Sequence, residues 1–484
     1  MVFEKLIESM ERNSTSGLIT AHLDRIRGHY DTCPRITPMA HKYREILARY
    51  YNSLIPQSAS VLEVGCGAGD LLSRLHARTK AGVDLSEAQI KLAKEKLPDS
   101  KFYVQSGETL DLPNQQFDYV ILSETANLAA DIQKIFENVK TVCREDTRLI
   151  LNIYSLIWRP FIWLATVLGW RNRQPEPNWL SKADVAGMLY LSGWELIRSE
   201  ARILCPVPLL GLERLINRFL APLLSPFCLS LFMVARPLIN RRGRDLSVSV
   251  VIPARNEAGN IPAAVERTPE MGAWTELIFV EGNSTDNTWE VIRQIKEMNP
   301  DRRIKILKQS GTGKGNAVRD GFAAADGELL MILDADLTVP PEELPKFYSA
   351  ILSGRCEFCN GSRLVYPMDE KAMQFLNLCA NKTFAVLFSW LLGQPVKDTL
   401  CGTKVLSRVH YQNIAENRSY FGDFDPFGDF VLLFGACRLN LKIVDIPVRY
   451  KERVYGETNI HRWKHGWLLL EMVVFAAAKL KFVA

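Results

Sequence analysis

Val61-Leu62-Glu63-Val64-Gly65-Cys66-Gly67-Ala68-Gly69 is a short apolar run that breaks into three glycines at two-residue spacing. It reads as a buried strand delivering a turn where backbone must approach a ligand and no Cβ intrudes. The spacing differs from GxGxxG, where the third glycine comes one residue later. About twenty residues on, Gly82-Val83-Asp84-Leu85-Ser86 places an acid at the end of the next strand, where a carboxylate can accept both hydroxyls of a ribose. Ser86-Glu87-Ala88-Gln89 has the pattern of a capping box, with Ile90, Ala93 and Leu97 as the buried face of the helix it starts. Phe117 to Leu122 and Arg148 to Ile153 read as later strands, and Leu229 to Val234 as a last one. Strands and helices alternate to about residue 155, which predicts a doubly wound parallel sheet. Ahead of it, Tyr43, Ile46, Leu47 and Tyr50 form a helical stripe.

A second opening strand follows at Ser247-Val248-Ser249-Val250-Val251-Ile252-Pro253 and leads through Ala254-Arg255-Asn256 to Glu257. Leu277 to Val280 then ends in Glu281-Gly282-Asn283-Ser284-Thr285-Asp286-Asn287-Thr288, an acid and a turn before a helix capped by Asp286 or Ser284. Gly311-Thr312-Gly313-Lys314-Gly315 offers flexible backbone and a cation to a diphosphate, without the spacer and Ser/Thr of a P-loop. Finally Glu328 to Leu333 delivers Asp334-Ala335-Asp336. Two carboxylates one residue apart at a strand end can hold Mg²⁺ or Mn²⁺ against diphosphate oxygens. All four elements fall where open α/β sheets bind ligands.

The chain has 484 residues, too many for one ordinary core, and a net charge of +5, which speaks against dedicated nucleic-acid binding. Arg236 to Asp245 is polar and turn-rich, dividing the chain into residues 1–240 and 241–484. Met1-Val2-Phe3-Glu4-Lys5 runs straight into charged sequence rather than a secretory leader, and the ten cysteines lack disulfide-like spacing, so a reducing cytoplasm is expected. Cys356-Glu357-Phe358-Cys359, without a second pair or a histidine partner, reads as plain structural or surface cysteines. Phe219 to Ala235 is apolar but holds Pro222 and Pro226 and falls short of the ~20 residues of a span. Ile153 to Trp170 is interrupted by Arg159 and Pro160. Trp467 to Lys479, preceded by Arg462, Lys464 and His465, reads as an amphipathic helix that lies on the inner face of the cell membrane or is buried.

The first set of elements resembles class I S-adenosylmethionine-dependent methyltransferases, over roughly residues 45 to 155. Gly107-Glu108 and Leu110-Asp111-Leu112-Pro113 fit the adenine-side loop and Phe117-Asp118 the fourth strand. Arg144 to Arg148 stands where the family has a Pro-Gly-Gly-type turn. The resemblance implies a Rossmann-like sheet and S-adenosylmethionine held by Glu63, Gly65, Cys66, Gly67, Gly69, Asp84, Leu85, Gly107 and Glu108. The second set resembles family 2 glycosyltransferases of the GT-A fold, in the dolichyl-phosphate mannose synthase-like group, over about residues 247 to 460. It continues through Gly361-Ser362-Arg363, Lys397 to Lys404 and Arg453-Val454-Tyr455-Gly456-Glu457-Thr458. Only Glu281 remains of the family's paired acids after its second strand, and the transmembrane hairpins of some relatives are absent. This resemblance implies a nucleotide sugar at Pro253, Arg255, Glu257, Glu281, Ser284, Lys314, Gly315 and Asp334, with Mg²⁺ or Mn²⁺ on Asp334 and Asp336. It also implies Asp398 and Asp429 on the acceptor side and Arg453 on a phosphate.

The expectation is an α/β protein of two domains. A methyltransferase acting on an unknown acceptor precedes an inverting glycosyltransferase that serves a polyprenyl phosphate or glycan in cell-surface glycan assembly. Two alternatives stay open: a glycosyltransferase with an inert methyltransferase-like docking domain, and a non-catalytic nucleotide-binding assembly factor.

Overall fold

The computed structural model describes residues 15–32, 37–175, 177–239, 241, 243–366, 375–418, 428–453, 455 and 462–483. The chain divides into two compact units, Met1–Leu238 with Lys481–Ala484, and Ile239–Leu480.

In the first unit, strands β1 (Ser60–Val64), β2 (Thr79–Asp84), β3 (Lys101–Val104), β4 (Phe117–Ser123), β5 (Cys143–Tyr154), β6 (Trp194–Arg202) and β7 (Ser230–Pro237) form one sheet in the order 3-2-1-4-5-7-6. Its first five strands are parallel in the Rossmann order, and β7 runs antiparallel between β5 and β6. Alternate residues enter opposite cores. Val61, Ile121 and Ile150 face one, and Leu62, Val120 and Leu149 face the other. Burial on both faces is why these strands read as continuous apolar runs.

The helix Pro38–Leu54 begins with the Thr37 hydroxyl accepting from Ala40 N–H at 3.2 Å and Pro38 in its first turn, and it buries Ile46, Leu47, Tyr50 and Tyr51. Ser86 caps the helix Glu87–Lys96 by accepting from Gln89 N–H. The reciprocal half of the expected capping box is missing, because the Gln89 side chain donates instead to the Tyr30 carbonyl at 3.0 Å. Arg144 to Arg148 is not a turn ahead of β5. It lies within β5, where the pairing with β4 skips between Phe117 and Tyr119.

In the second unit, β8 (Val248–Ala254), β9 (Thr275–Glu281), β10 (Arg303–Lys308), β11 (Leu329–Ile332), β12 (Phe358–Ser362), β13 (Lys404–Ser407) and β14 (Ile443–Pro447) are ordered 10-9-8-11-13-12-14. Strands β8 to β11 are parallel, and β13 is antiparallel to both its neighbours. The helix Thr288–Met298 takes Asn287 as N-cap rather than Asp286 or Ser284; Asp286 accepts instead from Thr288 N–H at 3.0 Å. Cys356 and Cys359 are buried and joined as a disulfide, with Cα atoms 6.0 Å apart, so they are structural rather than surface cysteines and are the exception to the lack of disulfide-like spacing. The expected C-terminal helix spans Arg462–Leu480. No helix of the described residues is long and apolar enough to cross a membrane.

The helix Lys314–Ala323 brings its Lys314 end to the edge of this sheet only because Gly321 lets it sit close. A Cβ there would lie 2.4 Å from Val251 Cγ1. We expect Gly321→Ala to cost about 1–3 kcal/mol of stability through overpacking, read from the urea-unfolding midpoint.

Candidate active sites

The glycine turn of the first unit is fixed by its own backbone. Gly65 and Cys66 N–H both donate to the Val83 carbonyl, at 2.7 and 3.0 Å, and Gly65, Gly67 and Gly69 all adopt positive φ. A Cβ on Gly65 would lie 2.6 Å from Thr125 Oγ1. Asp84 closes the turn from the β2 end: its Oδ2 accepts from Gly67 N–H at 2.8 Å and its Oδ1 from Ser86 N–H at 2.9 Å. Burial raises the Asp84 pKa, against these hydrogen bonds. Next to it the Glu63 carboxyl is 2% exposed, and its Oε2 has no hydrogen-bond partner. Burial, only partly offset by Arg44, pushes its pKa up to about 8.

These residues line a cavity of about 580 Å³ together with Cys66, Leu85, Gly107 and Glu108. Gly69 does not line it, contrary to expectation. Its missing Cβ would sit 3.4 Å from Ala93, so this glycine brings the turn against the following helix. Glu108 reaches the cavity but spends Oε1 on Ala130 N–H at 2.9 Å.

The far wall of the cavity carries no signal in the sequence motifs. Arg44 donates to Ser123 Oγ at 3.1 Å and pairs with Glu124 at 3.3 Å, beside Tyr43, Tyr154 and Arg171. Glu124 follows the end of β4, a position that could have drawn notice. Its partners come from elements remote in sequence.

In the second unit the expected residues gather at the carboxyl ends of β8, β9 and β11. Pro253 lies in β8, and Arg255 is exposed just beyond it. Glu257 is held by Asn260 Nδ2 donating to Oε2 at 2.7 Å, and burial raises its pKa. Glu281 accepts from Ser284 N–H, while Ser284 Oγ accepts from Asn256 N–H at 3.1 Å, so both residues tie the two loops together. Lys314 Nζ meets Asp334 Oδ1 at 2.5 Å. Burial raises the Asp334 pKa, but Lys314 outweighs it and holds the group below its usual value. Gly402 packs on this pair, where a Cβ would strike both Asp334 and Lys314. Asp336 Oδ1 accepts from the Thr338 hydroxyl at 2.9 Å, and its Oδ2 accepts from Arg453 at 2.6 Å. Arg453 also reaches Glu257 at 3.3 Å. Gly428 abuts Gly315, which brings Asp429, the first residue of the helix Asp429–Arg438, to the same edge. The Asp429 side chain, Val454 and 456–458 lie outside the described residues.

Asp398 departs from its expected role. It is fully buried, and its carboxylate accepts from Arg363 Nε at 2.7 Å, Arg363 Nη2 at 2.9 Å, Asn381 at 3.0 Å and the N–H groups of Arg363 and Leu400. Burial raises its pKa, but Arg363 more than reverses this and holds it well below the usual carboxylate range. Every acceptor position is filled, so Asp398 anchors Arg363 and the loop to Lys404.

Two outcomes are expected. Binding of S-adenosylmethionine, whose ammonium would meet an ionised Glu63, should release a proton at pH 7. Its affinity should rise with pH as Glu63 ionises, up to about 8, and fall once the cofactor's own ammonium loses its proton. Calorimetry in buffers of different ionisation enthalpy checks this, and Glu63→Gln should abolish the rise. Asp398→Asn strands the Arg363 charge and should cost about 3–5 kcal/mol of stability, measured by denaturant unfolding.

Residues 56–168 match the family model of a methyltransferase domain, and residues 249–410 that of glycosyl transferase family 2. The chain is 27% identical over 220 residues to dolichol-phosphate mannosyltransferase of Pyrococcus furiosus, covering 44% of this chain and 59% of that protein. It is 37% identical over 215 residues to undecaprenyl-phosphate 4-deoxy-4-formamido-L-arabinose transferase of Photorhabdus laumondii, covering 44% and 62%. The chain thus spans about three fifths of the length of these curated relatives. Among solved structures it is similar to a SAM-dependent methyltransferase of Thermotoga maritima, at 14% identity and a TM-score of 0.33, covering 45% of this chain and 98% of that one. A stretch that matches a methyltransferase-domain model and a stretch that matches the glycosyl transferase family 2 model thus lie in one polypeptide.

Proposed function

We propose that the chain is a bifunctional transferase working at a membrane surface. Its second domain moves a sugar, with inversion, from a nucleotide sugar to a polyprenyl phosphate, and its first domain moves a methyl group from S-adenosylmethionine. The observation that carries the glycosyl reading is the convergence of Glu257, Asp334 and Asp336 with Lys314 and Arg453 at one sheet edge. A divalent ion fits there. Mg²⁺ takes one or two protein carboxylates and completes its sphere with phosphate oxygens and water. Asp334 and Asp336 supply that number, and no cluster of three or more acid, His or Cys ligands occurs among the described residues. Bound there, Mg²⁺ or Mn²⁺ would neutralise charge developing on the nucleoside diphosphate. Lys314 and Arg453 neutralise the two carboxylates in its absence and are placed to turn to phosphate oxygens.

The state of Asp398 favours a phosphate acceptor over a sugar hydroxyl. A hydroxyl needs a proton acceptor, and with Asp398 spent on Arg363 only Asp429 is left for that role, whereas a phosphate oxyanion is already nucleophilic and needs neither. The relatives named for dolichol phosphate and undecaprenyl phosphate support the same choice. In the first domain, Asp84 suits a ribose, and Glu63, Gly65 and Gly67 suit the cofactor's amino-acid end. The cofactor would supply a methyl group on a positively charged sulfur.

The test supplies a panel of nucleotide sugars with polyprenyl phosphate and Mg²⁺ or Mn²⁺. One donor should support transfer. Asp336→Asn should reduce it by about a hundredfold or more and leave S-adenosylmethionine affinity intact, while Gly67→Arg should do the reverse. No transfer from any donor would sink the glycosyltransferase reading. No cofactor affinity in the wild type would favour the inert docking domain.

A further inference from the structure

Around the first-unit cavity the chain presents apolar side chains to water. The helix Arg159–Val167 has no buried residue, and Phe161, Trp163 and Val167 on it are more than half exposed, Trp163 at 67%. A second segment, 209–227, leaves Leu210, Leu223 and Phe227 in the open. Phe161, Leu164 and Trp170 line the cavity from one side and Pro206 and Val207, just ahead of the second segment, from another, and Trp158 Nε1 donates to the Phe227 carbonyl at 2.8 Å. Exposed apolar surface on this scale marks an interaction site.

The charges among these residues select the partner. Arg159, Arg173 and Arg214 are exposed. Residues 155–179 and 203–229 hold five arginines and two acids, Glu176 and Glu213, and the Glu213 carboxylate is taken up by the Leu209 and Gly211 N–H groups at 2.8 and 2.9 Å. Aromatic and aliphatic groups interleaved with cations suit an anionic lipid surface.

The floor of the cavity says what would be drawn in. Glu124 is 7% exposed and sits at a left-handed φ of 61°; the Tyr43 and Tyr154 hydroxyls lie close to its carboxylate, but its Oε1 makes no hydrogen bond of good geometry. Strained backbone at a buried, unsatisfied acid is characteristic of functional sites. Arg44 lies 3.3 Å from the other oxygen, and Arg171 lies 3.3 Å from the Tyr154 hydroxyl. Two guanidinium groups beside one carboxylate disfavour an ammonium head and favour an oxygen-rich one with a hydroxyl to donate to Oε1.

We propose that these two segments seat the first unit on an anionic lipid surface and that its cavity methylates a hydroxyl on the head of a membrane-resident amphiphile. The inference rests on the methyltransferase reading above. The acceptor oxygen bonds the methyl carbon, the C–S bonding pair stays on sulfur, and the hydroxyl proton passes to Glu124 Oε1.

The test uses the full chain. In flotation, wild type should rise with vesicles of phosphatidylcholine and phosphatidylglycerol. The double variant Phe161→Glu, Trp163→Glu should lose more than about tenfold in binding with its melting temperature unchanged. Wild type that stays unbound, or floats no better than the variant, overturns the docking surface. So does a dimer that the variant breaks when no flotation occurs, since that assigns the patch to a second copy. With tritiated S-adenosylmethionine and vesicles of a bacterial total lipid extract, label should enter the organic phase. Glu124→Gln should lose that label at unchanged cofactor affinity. Label confined to water-soluble material, or none from protein that binds the cofactor, overturns the amphiphile. Absence of cofactor binding instead removes the methyltransferase reading, and flotation still reports on docking separately.

Discussion

A parallel strand covered on both faces has one place for charged groups, its ends. In both units apolar side chains fill both sides of the central strands, as Val61 and Leu62 do in β1 and Val250 and Val251 in β8. Carboxylates cannot enter those layers without a partner. They are therefore driven to the carboxyl edges, where turns expose N–H groups and cations can reach them. Asp84, Glu257, Glu281, Asp334 and Asp336 all lie at such edges, and the chemistry of each site follows from that exclusion.

Each edge acid has met the cost of partial burial in a different way, and the difference assigns its role. Asp84 is held by two backbone N–H groups, which leaves it shaped by the turn it closes. Glu63 has too little compensation, so burial keeps it protonated near neutrality until a cation arrives. Asp334 and Asp336 face Lys314 and Arg453, cations that a metal and a diphosphate can exchange with. Asp398 is the contrasting case. Its fork to Arg363 saturates it and ties it to the loop that runs to Lys404.

Much of this was legible in the chain. The apolar runs, the glycines and the acids at strand ends marked both sheets and the edges at which those acids gather. Local sequence misled where one residue type serves two purposes. Gly69 has the spacing of a ligand-facing glycine but serves helix packing against Ala93. Gln89 has the spacing of a capping box, yet the Tyr30 carbonyl offered its side chain a hydrogen bond. Asp398 reads as an acceptor-side acid because neither its burial nor Arg363 can be seen from its neighbours in the sequence.

The sequence by itself determined the two α/β sheets and the position of the acids along them. Apolar periodicity and glycine placement are local properties that each stretch carries alone. Tertiary structure decided protonation, pairing and access. Arg44 beside Glu124, Arg453 across Asp336 and Glu257, and the apolar rim around the first cavity bring together residues far apart in the chain. Electrostatic energy depends on distance and burial in space, which spacing along the sequence does not encode.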